Sequence, residues 1–136
     1  MRVMQVSAFL ENRPGRLLFL METLADNDIN LVAHNIVDAS DFGIVHLIVD
    51  DPVKALSTIR GEGITASTTT VLTVAIPDEP GALVRQVLKP LAEAKINIEY
   101  SYAYSSGIAG NGPGSANVVL KVDDLDAAEE VLADLL

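Results

Sequence analysis

The chain has 136 residues, of which 49% are apolar and none is cysteine, so a sizeable core can form while disulfides, thiolate metal sites and thiol catalysis are excluded. Its 19 acidic and 9 basic side chains give a formal charge of −10. An acidic surface repels phosphate backbones and anionic lipid, so we expect no nucleic acid and no membrane as a partner. The N-terminal stretch MRVMQVSAFLENRPG has neither the length of a membrane span nor the cleavage site of a secretory signal, and we expect a cytoplasmic protein.

The first half of the chain predicts the order strand, helix, strand, strand, helix, strand. The expected elements are strands at about 3–10, 30–37, 44–50 and 64–70, and helices from Pro14 to the DND segment at 26–28 and over about 52–60. Pro14 fits the first turn of a helix, where its missing N–H costs nothing. The first helix carries one apolar stripe at helical spacing, formed by Leu17, Leu20, Met21 and Leu24.

The second half repeats the first. Three pairs of motifs correspond: Pro14-Gly15 and Pro80-Gly81, Ile29-Asn30-Leu31 and Ile96-Asn97-Ile98, and Asp50-Asp51 and Asp123-Asp124. Their separation grows from 66 to 67 and then to 73 residues, which places one inserted residue near Lys89-Pro90 and six in the glycine-rich segment 105–114. The expected elements are strands at 73–76, 97–104 and 117–122 and helices at 80–94 and 125–135. Pro90 is expected to kink its helix, because its ring removes a backbone hydrogen bond and clashes with an earlier carbonyl.

This order of elements predicts an α+β protein made of two ferredoxin-like βαββαβ units. Each unit is expected to be an antiparallel sheet with both helices on one face. We expect the first unit to cover residues 1–70 and the second to cover 71–136. The second unit lacks a clear last strand, so one edge of its sheet is expected to be open or to be covered by another chain.

Two repeated motifs carry a resemblance to a known family. ENRPGRL at 11–17 and PDEPGAL at 77–83 stand at the first strand–helix turn of each unit, and DINL at 28–31 and KINI at 95–98 enter the second strand. On these motifs the chain resembles the ACT domain family of small amino-acid-binding regulatory modules, and in particular the tandem ACT proteins that have no catalytic domain. The resemblance implies that a small free amino acid binds between the first turn of one domain and the second strand of its neighbour, which is the other copy or a second chain. It also implies a homodimer that needs no cofactor.

The chemistry of the Pro-Gly turn suits such a ligand. A helix N-terminus presents unpaired N–H groups and a partial positive charge to a carboxylate, and a glycine lets the ligand approach the backbone closely. Asn12, Asn30, Asp78 and Asn97 are candidate acceptors for the ammonium group. The predicted ligand-binding residues are Asn12, Arg13, Pro14, Gly15, Arg16, Leu17, Asn30, Leu31 and His34 in the first copy, and Asp78, Glu79, Gly81, Ala82, Leu83, Asn97 and Ile98 in the second.

Most of these residues also have a purely structural interpretation. Asn12 is a candidate helix N-cap, and the two asparagines at the strand starts are candidates for satisfying nearby backbone groups. Arg13 and Arg16 either clamp a carboxylate or are solvated. Acidic residues replace the Asn12-Arg13 pair in the second copy and would repel a carboxylate. The first copy is therefore the better candidate for binding a carboxylate, and the second copy offers acceptors for an ammonium group instead.

The histidines and tyrosines give weaker indications. His34 and His46 lie on the strand faces opposite Ala33 and Leu47, so they are candidates for neighbours on the open face of the sheet, but two imidazoles alone make no metal site. The three tyrosines, Tyr100, Tyr102 and Tyr104, share one strand face, which favours packing over an effector-binding wall. The glycine-rich segment lacks the Gly-Lys-Ser/Thr of a phosphate loop, and we expect a flexible connection.

No catalytic residue is predicted. The sequence has no cysteine and no recognisable Ser-His-Asp pattern, and Glu11, Asp78 and Glu79 lack an evident partner. We therefore expect a non-catalytic regulatory module that binds a small free amino acid. The alternatives are a pure dimerisation or interaction module without a ligand and, less favoured, a small enzyme on a ferredoxin-like frame.

Overall fold

The computed structural model describes residues 1–105 and 115–136, so most of the glycine-rich segment, expected to be a flexible connection, lies outside the described residues. The elements are β1 (Arg2–Glu11), α1 (Arg16–Asp26), β2 (Leu31–Ala39), β3 (Phe42–Val49), α2 (Pro52–Gly61), β4 (Ala66–Pro77), a π-helical turn (Val84–Leu88), α3 (Lys89–Glu93), β5 (Ile98–Ser105), β6 (Ser115–Val122), α4 (Leu125–Val131) and a 3-10 turn (Ala133–Leu135). Within the described ranges, none of the helices is long and apolar enough to cross a membrane.

The first compact unit comprises residues 4–70 and has the strand order β2-β3-β1-β4. β3 pairs antiparallel with both β1 and β2. Alternate residues of each strand face the helices, as the period of two requires. The core joins these strand residues to the apolar stripe of α1 and to the inner face of α2; its fully buried members include Val6, Ala8, Leu20, Leu47, Ala55 and Ile59. This unit is the predicted ferredoxin-like arrangement, with both helices on one face of the sheet.

The second compact unit comprises residues 71–136 together with Met1–Val3. β6 pairs antiparallel with β4 and β5, and a separate apolar cluster packs this sheet against α3 and α4. The expectation of an edge that is open or covered by another chain is overturned at the start of this edge, around Thr73. The first residues of the same chain lie beside β4, where the Met1 amino group donates to the Thr73 carbonyl and the Thr73 N–H donates to the Met1 carbonyl, both at 2.8 Å.

The ion pairs of Arg2 hold this N-terminal segment in the second unit. Its guanidinium contacts the carboxylates of Asp126 and Glu129 on α4, with Nε 2.7 Å from Glu129 Oε1. The guanidinium lowers the pKa of Glu129. The first three residues therefore lie with 71–136 and not with 4–70, which differs from the domain boundaries expected from the sequence.

The first helix of the second unit shows how its inserted residue is accommodated. Val84–Leu88 forms a π-helical turn in which the Lys89 N–H donates to the Val84 carbonyl, five residues back. A π-turn holds one more residue than an α-turn. It ends directly before α3, which has Pro90 in its first turn, where a missing N–H is tolerated. The predicted helix 80–94 is thus divided into a π segment and an α segment.

Each unit has a bulge near the start of its second strand. In the first unit Leu31 pairs with Val49 but Ala33 pairs with Ile48, so Val32 is an extra residue. In the second, Ile98 pairs with Val122 and Tyr100 with Lys121, so Glu99 is extra. The bulge is therefore part of the repeat.

The first bulge overturns the expected placement of the two histidines. His34 pairs with Leu47 and so lies on the helix-facing side of the sheet, whereas His46 pairs with Ser7 and Asn35 on the other side. Without the extra residue His34 would stand opposite His46, because a slip of one residue moves every side chain to the other face. The two imidazoles are therefore not neighbours on one face.

Candidate functional site

The turn between β1 and α1 is fixed by backbone and amide hydrogen bonds. The Asn12 N–H donates to the Asp41 carbonyl at 2.8 Å, and the Asn12 Nδ2 donates to the Ser40 carbonyl at 3.2 Å. The Arg13 N–H donates to the Glu11 carbonyl at 2.9 Å. The alternative role of Asn12 as a helix N-cap is therefore wrong, because Gly15 is the N-cap residue and the Asn12 amide nitrogen ties this turn to the turn between β2 and β3. The Asn12 Oδ1 has no hydrogen-bond donor among the described residues and is available as an acceptor.

The N-terminus of α1 is uncapped. Gly15 is the N-cap residue, with φ of 86°, and no described side chain caps the helix. Pro14 thus precedes the N-cap, and the prediction that it lies in the first helical turn is wrong. The Arg16 N–H donates to the Arg13 carbonyl at 3.3 Å, but the next two N–H groups, of Leu17 and Leu18, have no acceptor among the described residues. They are the unpaired donors that a helix start presents to an anion.

The space around this turn is open. A Cβ placed on Gly15 would meet no atom of the described residues within 4 Å. Arg13 pairs with Glu11 at 2.6 Å on the surface, whereas the guanidinium of Arg16 lies over the ring of Phe19, 5.2 Å from its centre. The Nε of Arg16 is buried and has no hydrogen-bond partner in the part of the chain that the structure describes. Arg16 is therefore the cation near the turn that is not paired with a described carboxylate.

Two adjoining pockets follow α1 away from the turn. The turn pocket, of about 90 Å³, is lined by Leu10, Glu11, Asn12, Arg13, Leu17, Ile36, Gly43 and Val45. The groove pocket, of about 370 Å³, is lined by Leu17, Met21, Leu24, Ala25, Ile29, Asn30, Leu31 and His34. The two pockets share Leu17. The structure therefore brings three predicted residues together at the turn and four in the groove.

The start of β2 is positioned by Asp50, which is not among the predicted site residues. Asp50 Oδ1 accepts a hydrogen bond from the Asn30 N–H at 3.0 Å, and the Asp50 N–H donates to the Asn30 carbonyl at 3.1 Å. Asp123 and Asn97 repeat both contacts at the same distances. The backbone of Asn30 is thereby occupied while its side chain is exposed. The repeated Asp-Asp motif pointed to this clamp, but its partner becomes evident only in the fold.

The corresponding turn of the second unit is covered by the side chain of Arg85. Gly81 has φ of 82°, and a Cβ there would overlap Nη1 of Arg85. Nη2 of Arg85 donates to the Pro80 carbonyl at 3.3 Å and lies 4.0 Å from Glu79. Ala82 is buried, and its N–H donates to the Glu79 carbonyl at 3.2 Å. Arg85 occupies the repeat position of Phe19, so one substitution changes the surroundings of the turn.

The remaining predicted residues of the second copy are spread over its turn, core and strand start. Asp78 and Asn97 have exposed side chains, while Leu83 and Ile98 are half-buried against the core. Their participation in a site stays a prediction.

The tyrosines and His46 lie on the faces opposite the helices. Tyr102 pairs with Val119, whose neighbours Val118 and Leu120 belong to the helix-facing core, so all three tyrosines face away from α3. Burial raises the pKa of Tyr102 and of Tyr104. In the first unit His46 Nδ1 lies 3.0 Å from Ser7 Oγ and 3.1 Å from Gln5 Nε2, and burial lowers the pKa of its imidazole. Neither group lines the turn pocket or the groove pocket.

Among the described residues, no group of three or more His, Cys, Asp or Glu side chains is arranged to hold a metal ion.

Comparison with known proteins places the chain in a family. A family model described as an ACT domain pair matches residues 1–135. The chain belongs to the ACT domain pair family. ACT domains are regulatory, non-catalytic modules, and the predicted family and fold are confirmed.

Three solved structures have a similar fold over nearly the whole chain. Protein BT0572 from Bacteroides thetaiotaomicron is 37% identical over 98% of this chain and 88% of its own, with a TM-score of 0.89. The ligand-free regulatory subunit of aspartate kinase from Thermus thermophilus is 15% identical over 98% of this chain and 91% of its own, with a TM-score of 0.65. The regulatory subunit from Thermus flavus is 16% identical over 96% and 90%, also with a TM-score of 0.65. A search of curated proteins finds no match.

Proposed function

We propose that this ACT domain pair is a non-catalytic sensor that binds a small free amino acid at the open turn of its first unit. The observation that carries the proposal is the pair of unpaired N–H groups of Leu17 and Leu18, which adjoin two pockets along the same helix. The fold shared with the regulatory subunits of aspartate kinase supports a regulatory role.

The polar groups of the turn match the two ends of a zwitterion. The carboxylate accepts hydrogen bonds from the two amides, in the favourable field of the helix N-terminus, and Arg16 supplies the nearby positive charge. Asn12 Oδ1 accepts from the ammonium group, because the Asn12 Nδ2 is engaged with Ser40. The side chain of Asn30 is a second exposed acceptor at the far end of the groove.

The first unit is the proposed receptor because its turn is open. In the second unit the guanidinium of Arg85 covers Gly81. A ligand there has to displace that side chain and its ion pair. The second unit therefore binds more weakly or not at all.

A homodimer and a cytoplasmic location belong to the same proposal. β2 is an outer strand of the first unit and pairs with β3 alone among the described strands, so its other edge is available for pairing with a second chain. In a dimer of this kind the neighbouring chain would close the groove over the amino acid.

A melting-shift screen of the twenty amino acids, followed by calorimetry, tests the proposal. A ligand that binds only the folded state adds RT ln(1 + [L]/Kd), or about 2.7 kcal/mol at a hundredfold excess over Kd. At least one amino acid is expected to raise the midpoint in proportion to the logarithm of its concentration. If none does so at millimolar concentration, the sensor function is refuted.

One observation favours the alternative of an interaction module without a ligand. Phe9, Ile44 and Val37 are cross-strand neighbours on the face of the first sheet opposite the helices, and Phe9 and Val37 are 46% and 41% exposed. An interaction module predicts a dimer whose dissociation constant is unaffected by any amino acid. Analytical ultracentrifugation with and without the best ligand from the screen separates the two functions.

A further inference from the structure

We propose that the amino acid recognised by the first unit has a long, uncharged, mainly apolar side chain, which lies along α1 in the groove pocket. This inference rests on the proposed function. It adds the chemical class of the ligand, which neither the family nor the fold specifies.

The floor of the groove pocket is formed by buried apolar residues, and its walls are formed by apolar residues that are only half-buried. Leu24 and Ile29 form the floor and are 2% and 4% exposed. Leu17, Met21 and Leu31 stand around it and are only half-buried, although they pack against the same core. Apolar surface of this kind gains from being covered, since burial removes it from water. An apolar ligand side chain in the groove would cover it.

The lining of the pocket disfavours a charged side chain. None of the eight described residues that line it is Asp, Glu, Lys or Arg. A ligand carboxylate, ammonium or guanidinium would lose hydration there without gaining an ionic partner, and such burial is strongly unfavourable. The polar members, Asn30 and His34, have exposed side chains. They can accept a hydrogen bond from a hydroxyl at the tip of an otherwise apolar side chain.

The geometry of α1 sets a lower limit on length. The ligand's charged groups are placed at the turn, and Leu17 is the residue that the turn pocket and the groove pocket share. Met21, the next wall residue, lies one helical turn further on, about 6 Å along the axis at 1.5 Å per residue. The side chains of glycine, alanine and serine end before this point. Those of leucine, methionine, phenylalanine and tyrosine reach it.

The second unit differs at the turn and not at the wall of the groove. Beyond the π-helical turn the repeat separation is 67, so Leu88 is the counterpart of Met21, and it too is half-buried against its core. The specificity is assigned to the first unit because its turn is open, whereas Arg85 covers Gly81 in the second.

Calorimetric titration of the full chain with individual amino acids tests the inference. Leucine, methionine, phenylalanine or tyrosine is expected to bind at least tenfold more tightly than alanine, serine, aspartate or lysine. Tighter or equal binding of a short or charged amino acid overturns the inference and leaves the sensor function intact. Absence of binding by all twenty overturns the sensor function itself, so the two failures are distinguishable.

A pair of matched variants tests the location. Ala25→Leu fills the groove pocket from an exposed helical position, and Ala92→Leu makes the same change at the exposed repeat position in α3. Both preserve helix propensity, and a thermal melt verifies that each variant is folded. Ala25→Leu is expected to weaken binding of the preferred ligand at least tenfold, while Ala92→Leu leaves it within twofold. Unchanged binding to Ala25→Leu would place the side chain elsewhere and overturn the inference.

Discussion

Substitution of Gly15 by alanine separates the role of this residue in the fold from its role at the turn. The residue has φ of 86°, in the left-handed region, and a Cβ added to it would meet no atom within 4 Å in the part of the chain that the structure describes. An L-residue in this region costs about 1–2 kcal/mol. The lower entropy of the unfolded chain offsets part of that cost. We expect the variant to lose about 1 kcal/mol of folding free energy, or about 4 °C in the thermal midpoint.

The same change is expected to have a larger effect on binding. The new methyl group projects into the open space in which the ligand carboxylate would approach the amides of Leu17 and Leu18. We expect at least a tenfold increase in Kd, which corresponds to about 1.4 kcal/mol. Urea unfolding gives the change in stability and calorimetry gives the change in affinity.

Gly63→Ala is the matched control. Gly63 has φ of 78° and also has no atom within 4 Å of an added Cβ, but it lies at the end of α2. It should lose the same stability as Gly15→Ala and keep full affinity. If both variants bind normally, or if both lose affinity equally, the first turn is not the ligand contact and the reasoning is refuted.

Three further predictions concern stability. Burial lowers the pKa of His46, so the unfolded chain binds a proton at this imidazole more readily, and the free energy of unfolding should fall as the pH drops below about 6.5, the ordinary pKa of histidine. Urea unfolding between pH 7.5 and 5 should show a smaller loss of stability for His46→Gln than for the wild type. Equal losses in the two proteins would contradict this prediction. Arg2→Gln removes the ion pairs that hold the N-terminal segment to α4, and it should lower the thermal midpoint more at low salt than at 1 M salt. The control is Lys121→Gln, which removes another surface ion pair and should lower the thermal midpoint less. Leu47 and Leu120 are completely buried and occupy equivalent positions in the two units. Substitution of either by alanine should lower the free energy of unfolding in urea by about 2–5 kcal/mol. A loss below about 1 kcal/mol at either site would contradict the described cores.

Much of the fold could be predicted because it depends on local periodicity. The stripe of Leu17, Leu20, Met21 and Leu24 specifies a helix and its buried face, and the alternation in β3 specifies which of its residues face the helices. The duplication was visible as two spaced copies of the same motifs. These features need only the geometry of a helix and of a strand.

The features that were mispredicted depend on contacts between distant segments. The placement of His34 relative to His46 is set by one extra residue at Val32, and a bulge is visible only in the pairing of two strands. At Thr73 the edge of the second sheet pairs with Met1, which is 72 residues away in the sequence. No local pattern contains that pairing.

The candidate site was predictable in its position but only partly in its chemistry. The Pro-Gly motif located the open helix start, and the entry to β2 located the groove. The motif could not show that Arg85 covers the second turn while Phe19 leaves the first one open. It also could not show that Asn12 binds the neighbouring turn instead of capping the helix.

The backbone amides themselves offer the most direct test of the central claim. Nitrogen-15 NMR spectra recorded during titration with the best amino acid from the screen should show saturable shifts of the Leu17 and Leu18 amides, with the Leu83 and Val84 amides of the second copy changing little. Saturable shifts confined to other residues, with Leu17 and Leu18 unmoved at full occupancy, would contradict the account.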